Sequence, residues 1–288
     1  MTNVRHLYAT IGGQQIFYRE AGAIGAPPLL LLHGFPASSF MFRHLIPQLE
    51  DRYRVVAPDL LGFGFSGSPP VDEFDYTFRA LAGLTSGLLQ HLEIDQYAMY
   101  VHDYGAPVGW RLALQDPDSI LAIVSQNGNG YEAGFEQAFW KPVRQYWDDQ
   151  NAHTEAALRE ALTLEAIKWQ YVHGVPEPST VSPDTWTHDH SLISRSGNDL
   201  VQLRLFADYV NNLTLYPHLH AFLRESQVPI LAVWGKNDQI FGPAGARAFA
   251  DDSPAAEIRL LDGGHFLLES HLDSAVAYIR EFLERAIR

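Results

Sequence analysis

Three side chains in this sequence have the types needed to displace a group from carbon and then finish the job with water. Asp103 stands between an apolar, strand-like run, Tyr97-Ala98-Met99-Tyr100-Val101-His102, and a small-residue stretch with helical spacing, Gly105-Ala106-Pro107-Val108-Gly109-Trp110. A carboxylate is already ionised at neutral pH. It can attack a saturated carbon and leave an alkyl ester behind. Completing the cycle needs an imidazole to draw a proton from water and a second acid to orient that imidazole. Such groups must come from the ends of later strands. Asp238 follows Trp234-Gly235-Lys236-Asn237, and His265 follows Leu261-Asp262-Gly263-Gly264, which makes Asp262 a near rival for the acid. The plain alternative for Asp103 is a helix cap, since an Asp before a helix satisfies orphan N–H groups.

The elements that would position these groups alternate between strand and helix. Residues 4–10 and 14–20 flank Gly12-Gly13, a hairpin signal. Pro28–Leu32 is a continuous apolar run, as a strand buried on both faces should be. An amphipathic helix is expected over 39–49, a strand over 54–59, a helix over 77–92, the Asp103 strand and its helix, and a sixth strand over 121–126. This alternation implies a parallel sheet with helices on both faces. From about 129 to 224 the pattern changes to aromatic-rich helical segments (156–170 and 203–210 among them) with no clear strand. Alternation then resumes with a strand at 228–234, a helix at 243–250, a strand at 257–261 and a final helix at 274–287. The reading is an α/β core domain made of 1–128 and 225–288, with a helical cap, 129–224, inserted after the sixth strand. Such a cap lies over the carboxyl ends of the strands, where open α/β sheets bind ligands.

The formal net charge of -14 argues against nucleic acid or an anionic membrane as partner. With no cysteine, a disulfide, a thiolate nucleophile or a Cys-based metal site is impossible. The residues after Met1 form no apolar leader, and the longest aliphatic run is far too short to span a bilayer. The expectation is a cytoplasmic protein acting on a small molecule and water, with a homodimer possible and no cofactor or metal implied.

The five residues Val101-His102-Asp103-Tyr104-Gly105 resemble the nucleophile elbow of the α/β-hydrolase fold, usually Gly-x-Ser-x-Gly, with Asp in place of Ser and Val in place of the first small residue. The His-Asp-aromatic-Gly form is similar to epoxide hydrolases and haloalkane dehalogenases, the branch that uses an aspartate. The order nucleophile, acid, histidine matches the superfamily, and the resemblance implies Asp103, Asp238 and His265 as a catalytic triad. The region after the sixth strand, where some members carry the acid, offers Asn127 and Asn129. The His33-Gly34-Phe35-Pro36 run resembles the oxyanion loop of epoxide hydrolases and implies that the backbone N–H groups of Phe35 and Tyr104 face the developing oxyanion. By the same resemblance His33, Phe35, Tyr104, Trp140 and Phe266 are expected to line the substrate site. His102, next to the nucleophile on the strand, points to the opposite face.

Dehalogenases stabilise halide with a Trp after the nucleophile, where this chain has Tyr104. Haloacetate dehalogenases place Arg residues near the nucleophile, where this chain has Tyr104 and Pro107. Epoxide hydrolases instead use two cap tyrosines as proton donors. Asp208-Tyr209-Val210-Asn211-Asn212 resembles the segment bearing one, and Tyr146 is the choice for the other, with Tyr131 and Tyr171 as rivals. The resemblance therefore implies an epoxide hydrolase, with a dehalogenase as the alternative and a low-turnover binding member of the fold as a second. Two other motifs are set aside. Gly62-Phe63-Gly64-Phe65-Ser66-Gly67 matches a dinucleotide fingerprint, but Ser68-Pro69-Pro70 interrupts it before any helix begins. His188-Asp189-His190, with His218 and His220, lacks the spacing of a zinc ligand set.

Overall fold

A computed structural model describes residues 4–287. One sheet of eight strands organises the chain: β1 (Arg5–Ile11), β2 (Gln14–Ala21), β3 (Pro28–Leu32), β4 (Arg54–Pro58), β5 (Tyr97–His102), β6 (Ile120–Gln126), β7 (Ile230–Gly235) and β8 (Glu257–Leu261). Their order across the sheet is β1-β2-β4-β3-β5-β6-β7-β8. β2 runs antiparallel to β1 and β4, and the other neighbours are parallel. The continuous apolar strands β5 and β7 are buried along their whole length, as helices on both faces require. Register brings Leu32, Val101 and Ser125 side by side, so the carboxyl ends of β3, β5 and β6 open at one level.

The core helices are α1 (Phe78–His91) and α2 (Gly105–Gln115), which precede the insert, and α10 (Pro243–Asp252), α11 (Leu267–Ser270) and α12 (Leu272–Ala286), which follow it. Thr77 accepts from Ala80 N–H at 3.1 Å and so caps α1. Between β6 and β7 lie seven helices: α3 (Gln137–Asp148), α4 (Ala152–Arg159), α5 (Leu164–Val172), α6 (Pro183–Ile193), α7 (Asn198–Asp208), α8 (Val210–Leu213) and α9 (Tyr216–Ser226). Among the described residues no helix is long and apolar enough to cross a membrane.

Two expected helices are shorter than their patterns imply. Residues 39–49 form two separate 3-10 turns, Ser39–Phe42 and Ile46–Gln48. Pro47 has no N–H to give to the preceding turn and lies at the start of the second of these short turns, Ile46–Gln48, which disfavours one continuous α-helix here. The expected helix at 156–170 is broken at Thr163, whose hydroxyl accepts from Ala166 N–H at 3.3 Å and starts α5 afresh.

Helix α2 lies against the sheet more closely than a β-carbon would allow. A Cβ at position 105 would sit 2.2 Å from the Leu32 carbonyl oxygen. Val101, which stands where the usual elbow has a small residue, is housed by small residues elsewhere. A Cβ at 109 would meet Val101 Cγ1 at 2.6 Å, and one at 128 would meet Val101 Cγ2 at 3.0 Å. The space has moved from the elbow to its neighbours. Gly105→Ala should therefore lose roughly 1–3 kcal/mol of stability in urea unfolding, because the obstructing atom is backbone. An unchanged midpoint would show that α2 can move away from β3 at no cost.

Candidate active site

At the end of β5 the backbone turns through Asp103 with φ +45°. Non-glycine residues seldom adopt this region, and holding one there costs about 1–3 kcal/mol. No side chain caps α2, so the carboxylate is not spent on the N–H groups within that helix. Its Oδ1 accepts from two backbone donors, Phe35 N–H at 2.7 Å and Tyr104 N–H at 2.5 Å. One donor comes from the loop after β3 and the other from the residue just before α2. Oδ2 is left facing His265, whose Nε2 lies 3.8 Å away and has no hydrogen-bond partner.

His265 arrives on the loop after β8, and Asp238 on the loop after β7. His265 Nδ1 bonds Asp238 Oδ2 at 2.8 Å. Asn127 Nδ2 donates to the same oxygen at 2.7 Å, and Ile240 N–H donates to Asp238 Oδ1 at 2.8 Å. Asn127, at φ +47°, also accepts from Gly235 N–H at 3.0 Å and so ties β6 to β7 beneath the acid. The rival Asp262 is exposed and bound to Lys236 and Asn237, out of the site. His102 packs under His265 with ring centroids 4.5 Å apart, its Nδ1 held by the Gln126 carbonyl at 2.9 Å.

Aromatic rings of the helical insert and the core pack around these three side chains. Tyr209 stands at the centre, its ring 4.7 Å from Trp140, 5.4 Å from Phe78 and 5.7 Å from Tyr104. Phe35 packs against Tyr104 and Phe206, and Phe266 sets its edge on His265. The Tyr104 hydroxyl is buried without a partner. One residue expected here serves the backbone instead. His33 uses both ring nitrogens on backbone, Nε2 accepting from Leu60 N–H at 2.9 Å and Nδ1 meeting the Gly34 carbonyl at 3.0 Å, so it braces the β3 loop. Tyr146 lies on the buried face of α3, its phenol pushed up by burial and then by the charge of Glu155. Its rivals are committed to other partners, Tyr131 to Asp252 at 2.9 Å and Tyr171 to Asp189. Asn127 is the partner of Asp238 that sequence reasoning did not single out for this part. Its only signal was position, just after β6.

The other motifs resolve into structure. Asp59 accepts from Ser39 and Phe65 N–H groups, both at 2.7 Å, and so shapes the glycine-rich turn after β4. His188 stacks on Phe40 with centroids 4.1 Å apart, and His220 bonds the Gly130 carbonyl. Among the described residues no group of three or more His, Asp or Glu is gathered as for a metal.

A family model described as alpha/beta hydrolase fold matches residues 27–272. The chain belongs to this family. An uncharacterized hydrolase of Saccharomyces cerevisiae is 46% identical over 263 residues, covering 90% of each chain. A haloalkane dehalogenase of Mesorhizobium japonicum is 28% identical, over 94% of this chain and 88% of its own. Among solved structures, an epoxide hydrolase named CorEH superposes with a TM-score of 0.79 at 21% identity, covering 98% of this chain and 99% of its own, a likeness of fold.

In this α/β-hydrolase the buried charges are set against one another. Burial raises the Asp103 carboxyl from 3.8 to about 6, against the pull of His265 and the two backbone donors. Burial lowers the His265 imidazole, but Asp238 and then Asp103 outweigh it and the net direction is upward from 6.5. His102, fully buried beside His265, is driven well below its ordinary value and stays neutral. The Asp103 value is raised on folding, so its proton stabilises the folded state fully below 3.8, and that stabilisation is lost as pH rises through about 6. Asp103→Asn carries no such penalty. It should raise Tm relative to wild type at pH 8, by an amount equivalent to about 3 kcal/mol, and the gain should shrink as pH falls below about 6 and vanish only below 3.8. A gain independent of pH would show that the carboxylate is not the source.

Proposed function

We propose that this hydrolase opens epoxides to vicinal diols, with Asp103 as nucleophile, His265 and Asp238 as the water-activating pair, and residues 129–224 acting as a cap on a core of 1–128 and 225–288. The observation that carries this reading is the company kept by the carboxylate. Tyr209 is buried with its ring 5.7 Å from that of Tyr104, the residue after the carboxylate, and burial first, then Tyr216 and Asp103, push its phenol well above 10. Opening an oxirane generates an alkoxide, which needs a proton donor at that place. We assign the second donor to Tyr104, whose buried hydroxyl is unpartnered and whose ring lies beside that of Tyr209.

The geometry suits both halves of the reaction. Asp103 Oδ2 attacks the less hindered carbon, the carbon–oxygen bond of the ring breaks, and the released oxygen takes a proton from Tyr209. Oδ1 becomes the ester carbonyl oxygen and is already seated on the Phe35 and Tyr104 N–H groups. A water in the gap between Asp103 and His265 then attacks the Asp103 carbonyl carbon, giving its proton to His265 Nε2. The same two donors hold the oxyanion, an arrangement that typically contributes ~3 kcal/mol per donor. Collapse breaks the ester bond, the departing alkoxide takes the proton held by His265, and the proton left on Asp103 passes to the Tyr209 phenolate, so the diol leaves and the carboxylate, imidazole and phenol are restored. Phe35, Tyr104, Trp140 and Phe266 offer a largely apolar wall to the substrate.

Dehalogenation by the same nucleophile is the second reading, and the sequence relatives include enzymes of that name. The indole N–H groups favour the epoxide. Trp140 donates to the Ile240 carbonyl at 2.9 Å and Trp147 to the Phe206 carbonyl at 2.8 Å, so neither indole beside Tyr209 is free to hold a halide. Single-turnover hydrolysis in heavy-oxygen water should place label in Asp103, and His265→Gln should accumulate a protein mass increased by the substrate. Label appearing directly in product, with no adduct, would replace the ester route by direct water attack. Tyr209→Phe should lower styrene-type oxirane turnover at least about 100-fold while any bromoalkane turnover changes much less. Equal losses would remove its acid role.

A further inference from the structure

Helix α7 turns one stripe toward the site. Phe206 packs 5.4 Å from Phe35, and Tyr209, in right-handed backbone continuous with the helix, packs 5.7 Å from Tyr104. Gln202 lies four residues before Phe206 and seven before Tyr209, on that same face. It is 0% exposed. Neither its Oε1 nor its Nε2 has a hydrogen-bond partner among the described residues. Burying an amide with both ends unmade is costly, and a Leu of similar size would avoid the cost. The neighbouring polar residues of α7 behave otherwise. Asn198 donates to the Ile193 carbonyl at 2.9 Å, and Asp208 accepts from Phe78 N–H at 2.7 Å.

We propose that Gln202 is a specificity-determining residue whose carboxamide receives a hydrogen-bonding group, a hydroxyl or carbonyl, on the substrate. Seven helical residues separate it from Tyr209, which puts this contact about 10 Å along α7 from the reacting oxygen. An amide both donates and accepts, so it suits a neutral polar group. The substrate is then an oxirane on an otherwise apolar chain whose far end is polar. The proposal rests on the epoxide reading for the reacting end only.

The test uses the purified enzyme, wild type and Gln202→Leu, with a straight-chain terminal oxirane and its ω-hydroxy counterpart of the same length. Wild type should favour the hydroxylated substrate in kcat/KM by about 10-fold or more. Gln202→Leu should lose that preference and keep alkyl-oxirane turnover within about threefold. An unchanged preference, or an equal loss on both substrates, overturns the proposal. Stability supplies an independent readout. The unliganded variant should melt at or above the wild-type temperature, and a fall of several degrees would mean that the amide is paired inside the fold. If neither oxirane is turned over by wild type, the epoxide reading fails on its own. Thermal shifts with the matching alkane-1,2-diol and its ω-hydroxy form then decide the matter for Gln202. A polar-end preference lost in the variant upholds it, and identical shifts in both proteins overturn it.

Discussion

A carboxylate that is to attack carbon must be bare enough to react and yet anionic in a place that disfavours charge. The geometry at Asp103 divides these demands between its two oxygens. Oδ1 is committed to two backbone N–H groups from different parts of the chain, and Oδ2 is left without a donor of its own. The rest of the site depends on that division. It requires the left-handed backbone at residue 103, the loop after β3 at a fixed height, and α2 pressed against the sheet so that Tyr104 N–H reaches the same oxygen. His265, aligned by Asp238, faces the oxygen that remains.

The second layer keeps the charges from interfering with each other. His102 lies directly beneath His265, and two imidazolium rings at that separation would repel strongly. Burial holds His102 neutral, so it fills space and anchors on Gln126 while His265 alone is free to accept a proton. Asn127 serves Asp238 in a comparable way. It donates to the carboxylate without bringing charge, and its carbonyl joins β7. The acid is thereby oriented by neutral groups, and its negative charge is available to the histidine.

Much of this was legible in the sequence because the core obeys local rules. Strands such as Pro28–Leu32 are continuous apolar runs, and Asp103 and Asp238 each come shortly after such a run, while His265 comes after the mixed strand Glu257–Leu261. The cap was legible as a helical insert but not in its details. Whether a tyrosine in a helical segment faces the site depends on how the helices dock, which periodicity does not encode. Tyr209 stands in a segment, Asp208 to Asn212, that resembles a donor-bearing one, while Tyr146 is one choice among rivals; the first sets its ring beside those of Trp140 and Tyr104, and the second lies on the buried face of α3. The His33-Gly34 pair was correctly placed near the nucleophile, but the choice between backbone and side chain was hidden. Only the distances to Leu60 and Gly34 settle that the ring is a brace.

The valine at the elbow bears on how this chain can change over generations. Its two methyl groups occupy notches left by residues 109 and 128. The two notches differ in how firmly they are shut. A smaller residue at 101 would free position 109, whose nearest obstacle is Val101 Cγ1, whereas position 128 would still meet Ser125 Oγ and the Val101 carbonyl, both at 2.9 Å, so glycine there answers to the backbone as well as to the valine.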